Sequence, residues 1–246
     1  MPSTIYKPLL GSGQVYARTA GAAAGLLAIG NVSVLELEQS EDKKTLKDYT
    51  KPGGGTYASV TRIENVTAKL TVHDLNKTNL ARAAFGDSAT VPTGTETNEE
   101  IIGYKAALVP LAHIGISDVT LTNAGATTTY LLGTDYEVRG GGLFILEAGA
   151  ITNGQDLLVD YTYAAYDRIE GVTQSGVVLE LYFDGINEAD SGKPVIINIY
   201  RGQLSPAKAL SLLGDDFAEL EMEMEVLKDP SKTGVGISQY YSIRFV

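Results

Sequence analysis

The sequence predicts a mainly β protein, on three observations. Short segments in which apolar and polar residues alternate recur along the chain, which is the pattern of half-buried strands. The chain contains 27 glycines and 14 tyrosines, with 5 phenylalanines and no tryptophan, a composition that suits short strands and tight turns. Apolar residues make up 44% and charged residues 20% of the 246 residues, so the chain can bury a substantial core.

The composition also argues against several classes of function. The absence of cysteine excludes disulfides, thiolate metal sites and cysteine nucleophiles. A net charge of -11 repels nucleic-acid phosphates from most of the surface, which argues against tight DNA binding. The apolar stretch 20–29 is too short to span a bilayer, and no basic segment of the signal-peptide type precedes it. We therefore expect no membrane partner and a chain that is made and kept in the cytoplasm.

The first part of the chain predicts an arm, three strands and a hairpin. Residues 1–13 contain prolines and glycines without a clear period and are interpreted as an extended arm. Alternation predicts strands at 14–19, 31–39 and 65–74. Between the last two, the charged segment 40–57 contains Lys-Pro-Gly-Gly-Gly, which predicts a long mobile hairpin.

Helical spacing of leucine and alanine, ended by a glycine, predicts the only helix at 75–85. The following residues up to 99 are rich in Thr, Gly, Asp and Glu and are interpreted as a connector into another module. We therefore predict a discontinuous domain, 1–102 and 165–246, interrupted by an inserted β-domain at 103–164.

The insert is predicted to be a small sandwich, because short strands alternate with turn sequences. Its predicted strands are 119–122, 128–132, 136–138, 143–146 and 157–163.

After the insert, strands are predicted at 177–184, 194–201 and 239–246. The segment 207–226 is ambiguous, because its end is rich in residues that favour helices. The periodicity favours a strand over a helix. A glutamate followed by an apolar residue occurs four times in succession, and this spacing places all the acids on one face of a strand but would scatter them around a helix. The four acids are Glu219, Glu221, Glu223 and Glu225.

Acidic residues also lie on the polar face of two other predicted strands. These residues are Glu36 and Glu38 on one strand, and Glu180 and Asp184 on the other. The ordinary interpretation is a solvated sheet face. Four glutamates at alternate positions repel one another, however. This loss of stability is more easily tolerated if the sheet face lines a surface that must not bind DNA. From these residues alone, both alternatives stay open.

The sequence offers little that resembles a catalytic or metal site. His73 and His113 are isolated and lack metal-ligand spacing. Asp215 and Asp216 could form half of an acid-base or Mg²⁺ site, but an Asp pair after glycine is common in turns. The glycine runs at 53–55 and 140–142 lack the context of phosphate-binding loops. We expect no catalytic residue, no metal and no cofactor.

Several segments together resemble phage tail tube (major tail) proteins. The resemblance covers residues 1 to about 100 and 165–246. The segments that carry it are 13–16, 29–32, 48–55, 79–86 and 213–220.

This resemblance implies a tail-tube β-sandwich or barrel with one flanking α-helix. It implies homo-hexameric rings, with inner strands forming a continuous barrel, stacked into a tube that conducts the genome. Other partners would be the tape measure and tail terminator proteins, with DNA passing through without sticking, in the virion of a phage with a long non-contractile tail. Glu219, Glu221, Glu223 and Glu225 become candidates for the lumen, since an acidic bore lets DNA slide.

The same resemblance makes the 40–57 hairpin a ring-to-ring contact. Its candidate contact residues are Asp48, Tyr49, Lys51, Pro52 and Gly53. The insert looks like immunoglobulin-like modules of other phage proteins, which implies a projection outside the tube.

Two other classes compete with this interpretation. One is a secreted or surface β-sandwich adhesin or carbohydrate-binding module, favoured by the insert and the tyrosines. The other is a hydrolase that uses Asp215 or Asp216 with a second carboxylate.

Overall fold

The computed structural model describes residues 8–207, 209–210 and 213–246. Strands make up 56% of the chain and helix 4%, so the predicted mainly β fold is confirmed. The chain forms two compact units, one of Met1–Asp87 with Ile169–Val246 and one of Ser88–Arg168. No helix in the described part of the chain is long and apolar enough to cross a membrane.

The strands and the α-helix follow one another along the chain. In order they are β1 (Gly11–Thr19), β2 (Leu27–Gly30), β3 (Val32–Lys47), β4 (Thr56–Val72), α1 (Lys77–Ala83), β5 (Asp87–Val91), β6 (Gly94–Gly103), β7 (Ala107–Pro110), β8 (Ile116–Asn123), β9 (Thr129–Tyr130), β10 (Tyr136–Arg139), β11 (Gly142–Ile145), β12 (Gln155–Tyr163), β13 (Tyr166–Glu170), β14 (Val178–Asn187), β15 (Lys193–Leu204), β16 (Leu220–Val226) and β17 (Tyr241–Phe245).

The first unit is built on one 8-stranded sheet. Its hydrogen-bonded order is β2-β1-β14-β15-β16-β4-β3, and β17 pairs with β15 beside this path. The two strands at the ends of the path, β2 and β3, are separated in sequence by Asn31 alone. The two Cα–Cα steps from Gly30 to Val32 span at most about 7 Å, so the sheet must curl until its two ends meet.

The curled sheet encloses a single apolar core. Side chains from one half of the path, such as Val15 and Leu181, belong to the same buried cluster as Leu70 and Met224 from the other half. Phe85, just after the helix, is buried in this cluster too. The helix therefore covers the core that the sheet curls around.

Polar contacts fix the point where the sheet ends meet. The Asn31 backbone N–H donates to Asp74 Oδ2 at 2.8 Å. The Asn79 side chain is 1% exposed, and its Nδ2 donates to the carbonyl oxygens of Ile29 and Asp74, both at 2.8 Å. Gly30 has φ +112, and a Cβ there would lie 2.2 Å from Asp74 Oδ2, so this position requires glycine.

The single predicted helix is present, and it is shorter than its predicted span of 75–85. It begins after Asn76, whose side chain accepts a hydrogen bond from the Asn79 N–H at 3.0 Å. This is a normal N-cap, and it fixes the first helical residue as Lys77 and not Leu75. The predicted 40–57 hairpin is mostly strand, since β3 runs to Lys47 and β4 begins at Thr56.

The core of the second unit is formed by two sheets, and β5 and β13 pair with each other as a separate two-stranded sheet. One core sheet has the order β6-β12-β8-β9 and the other β10-β11-β7, and residues of both form one buried cluster. The predicted connector 86–99 is wrong, because these residues form β5 and most of β6. The predicted start of the insert, residue 103, is the last residue of β6, whereas the second unit begins at Ser88.

We expect Asn79→Ala to lower the free energy of unfolding by about 1–3 kcal/mol, because two backbone carbonyls at the sheet closure lose their donor. Urea unfolding monitored by circular dichroism measures this change. Thr78→Ala, at the exposed neighbouring position, is the matched control and should change the value by less than about 0.5 kcal/mol. Equal effects of the two substitutions would contradict the assigned role of Asn79.

Candidate functional site: an acidic sheet face and a projecting hairpin

Strand β16 has the alternation that its sequence predicts. Its apolar side chains are buried in the core of the first unit, whereas Glu221 and Glu225 are exposed and Glu223 is half-buried. Glu219 is exposed directly before the strand. The buried residues are Leu220, Met222, Met224 and Val226.

The register of the sheet extends this acidic face over two more strands. Glu223 is paired with Lys69 on β4, which is paired in turn with Glu36 on β3. In the next row, Thr67 on β4 is paired with Glu225 on β16 at one side and with Glu38 on β3 at the other. Directly paired residues point to the same side of a sheet, so carboxylates from two strands flank β4 on one face. We call this surface the acidic face.

Lys69 supplies a positive charge in the middle of the acidic face. Its Nζ lies 2.8 Å from Glu38 Oε1. The hydrogen bond and charge of Glu38 raise the pKa of Lys69 above its ordinary value, and the charges of Glu223 and Glu36 add to the effect. Lys69 therefore offsets part of the repulsion between the carboxylates, and the surface stays acidic.

The third acidic pair from the sequence behaves differently. Glu180 is half-buried and bound to Arg18, whose Nε and Nη2 both lie 2.7 Å from Glu180 Oε2. Asp184 is exposed. The charge of Glu180 is thus balanced within the sheet by Arg18.

The hairpin of β3 and β4 ends in an ordered turn. The Asp48 N–H donates to the Gly55 carbonyl at 2.8 Å. Thr50 donates to Asp48 Oδ1 from its backbone N–H at 2.8 Å, and its hydroxyl bond to the same oxygen lowers the pKa of Asp48. Tyr49 is 82% exposed. The other predicted contact residues, Lys51, Pro52 and Gly53, are exposed as well.

The two histidines lie in different units. His73 Nε2 is 2.8 Å from Ser33 Oγ in the first unit. His113 is stacked on Tyr163 with ring centroids 3.7 Å apart, and its Nδ1 lies 3.1 Å from the Tyr166 hydroxyl. Within the described residues, no group of three or more His, Asp or Glu side chains could hold a metal ion.

Asp215 and Asp216 lie in an exposed loop. Together with His73 they line an open depression of about 870 Å³. The loop also carries Leu213 and Phe217, which are each 97% exposed. The sequence interpretation of these aspartates as turn residues agrees with this loop position.

Sequence reasoning did not identify Lys69 as part of the site. Its position on the polar side of a predicted strand follows from alternation along β4. Its location among carboxylates depends on the register of the hairpin formed by β3 and β4, and on the pairing of β4 with β16, which is far from both in sequence. Only the register of the sheet gives that information.

These features define a mainly β protein with two units, an acidic sheet face and a projecting hairpin. A family model described as "Protein of unknown function UCP028589" matches residues 8–244, and the chain belongs to this family. No curated protein matches the sequence.

Replacing Lys69 by Met should destabilise the first unit at low salt, because the carboxylates lose their counter-charge. Added salt should shrink the difference by screening the repulsion. The raised pKa means that, while the carboxylates are ionised, Lys69 stabilises the fold fully below its ordinary 10.5, and that the contribution disappears as the pH rises through the higher folded value.

Urea midpoints in low and high salt, at neutral pH and above pH 10.5, measure these effects. Lys193→Met is the control, since Lys193 pairs with Asp190 at 3.3 Å outside the acidic face. A Lys69→Met effect that does not depend on salt would contradict the electrostatic explanation.

Proposed function

We propose that this chain is the tail tube subunit of a tailed bacteriophage, a structural protein without enzymatic activity. Six copies close into a ring, and rings stack into a tube through which the genome passes. The observation that carries this proposal is the acidic face, on which β16 directs its glutamates away from a fully apolar core face.

A run of exposed carboxylates on one sheet face lowers stability through mutual repulsion. Such a surface suits the wall of a channel for DNA, because carboxylates repel the DNA phosphates and form no ion pairs with them. The proposal therefore places Glu219, Glu221, Glu223 and Glu225 at the lumen. Glu36 and Glu38 belong to the same surface.

The hairpin supports the stacking of rings. Its strands leave the core, and most of the side chains beyond Gln39 on β3 and before Asn65 on β4 are exposed. A long hairpin with exposed Tyr49, Tyr57 and Ile63 has little reason to exist in an isolated monomer. The proposal assigns it to the contact with the next ring.

The second unit is, in this proposal, an immunoglobulin-like module on the outside of the tube. Its two sheets of four and three strands around one core support this assignment. The tape measure and tail terminator proteins would be the further partners of the tube, in a virion whose tail is long and non-contractile.

Negative-stain electron microscopy of the concentrated protein, with light scattering on the same sample, tests the proposal. We expect rings or hollow tubes that carry small outward knobs. Stable monomers at every concentration would contradict self-assembly and would favour the alternative of a surface β-sandwich binding module.

The lumen assignment has its own test in the double variant Glu221→Lys/Glu223→Lys. Tubes of this variant, assembled with short duplex DNA, should retain DNA that is protected from nuclease, because cations now line the bore. Glu147→Lys/Asp156→Lys makes the same charge change at exposed positions of the second unit and is the control. In a phage, the lumen variant should assemble but hinder genome passage, and unchanged infectivity would contradict the assignment.

A further inference from the structure

Two exposed segments of the first unit have opposite charges. The hairpin between residues 41 and 62 contains 5 basic and 3 acidic residues, against 14 basic and 27 acidic residues in the rest of the chain. Residues 213–219, which we call the acidic segment, contain three acids and no base. Two copies of net charge -11 repel each other, so the hairpin is the surface that an acidic segment of a second copy can approach most favourably.

The acidic segment also exposes large apolar side chains. Leu213 and Phe217 are 97% exposed and enclose the two aspartates, Asp215 and Asp216. Exposed apolar groups surrounded by charges are typical of protein–protein contact sites. In such sites the apolar groups are buried against the partner, and the charges determine how the partner is oriented.

One side of the hairpin has the complementary character. The pairs Leu46 with Ala58, Lys44 with Val60 and Asp42 with Arg62 follow one another in register and share one side. Leu46 and Val60 are 53% and 54% exposed. Lys44 forms a pair with Asp42 at 3.2 Å, which is exposed and therefore weak. We call this side the apolar-basic side.

The opposite side of the same hairpin is polar over the matching stretch, where it carries the pairs Lys43 with Thr61 and Thr45 with Ser59. Nearer the core, the pair Glu41 with Ile63 lies on this opposite side and adds one exposed apolar side chain, Ile63. Over the stretch 43–46 with 58–61 the two sides thus differ in apolar content while they belong to the same strands, which provides matched positions for an experiment.

We propose that the acidic segment of one copy docks on the apolar-basic side of the hairpin of a second copy. Leu213 and Phe217 lie against the apolar pair Leu46 and Val60, and the two aspartates lie beside the basic side chains. This inference rests on the self-assembly proposed above and names one contact that holds the copies together.

The absence of native cysteine allows a direct cross-linking test. Gly214→Cys places a thiol in the acidic segment without removing either apolar residue, and a Cβ there meets no atom within 4 Å. Ala58→Cys places one on the apolar-basic side. The two proteins, one enlarged by a tag, are mixed and oxidised, so that a disulfide between them identifies a contact between copies.

We expect the mixed disulfide to form about tenfold more with Ala58→Cys than with Ser59→Cys, the neighbouring position on the polar side. Equal yields from the two positions would overturn the docking mode. If the wild-type chain stays monomeric in light scattering, both the docking mode and the tube proposal fail, whereas equal yields in an assembling protein refute only the docking mode.

Charge reversal gives an independent readout. Lys44→Glu should raise the concentration required for assembly about tenfold at low salt, and Lys43→Glu, on the polar side, should change it little. Adding Asp216→Lys to Lys44→Glu should restore assembly. Circular dichroism verifies that each variant is folded, and failure of the restoration in folded protein would count against the pairing.

Discussion

The first unit depends on the closure of its sheet at Asn31. The strands β2 and β3 lie at opposite ends of the hydrogen-bonded path, and a single residue joins them. This connection requires a curled sheet, and the curl in turn creates an enclosed core for the apolar side of every long strand. The bonds from Asn79 and Asp74 hold the two ends in place. A flat arrangement of the same strands would leave this apolar side in water.

The acidic face is a consequence of this closure. Because the inner side of the curled sheet is filled, β16 can direct its glutamates only outward, and β3 and β4 add their own charges in register. The same two strands then continue past the core as the hairpin. One strand pair therefore contributes both to the surface proposed for the channel and to the surface proposed for contact between copies.

Local sequence was sufficient for some of these features. The strict alternation of β16 identified the strand and its acidic side, and the spacing near Leu80 identified the helix. Strand β6 was missed because only Ile101 and Gly103, at its end, are buried, so most of its Thr-rich and Glu-rich sequence shows no apolar period. The importance of Lys69 and Asn79 could not be predicted, since it depends on partners brought near by pairing and curling rather than by sequence proximity.

The insertion of the second unit between β4 and β14 has a consequence for the order of folding. Residues 88–168 are contiguous, so this unit can form its core as soon as its own residues have been synthesised. Strand β1 must wait for β14, its partner more than a hundred residues later. Once the second unit has folded and β5 has paired with β13, the long loop between the two parts of the first unit is already closed, which lowers the entropic cost of joining them. The acidic segment follows the second unit in the chain, so the contact proposed between copies can form only after the second unit has been synthesised.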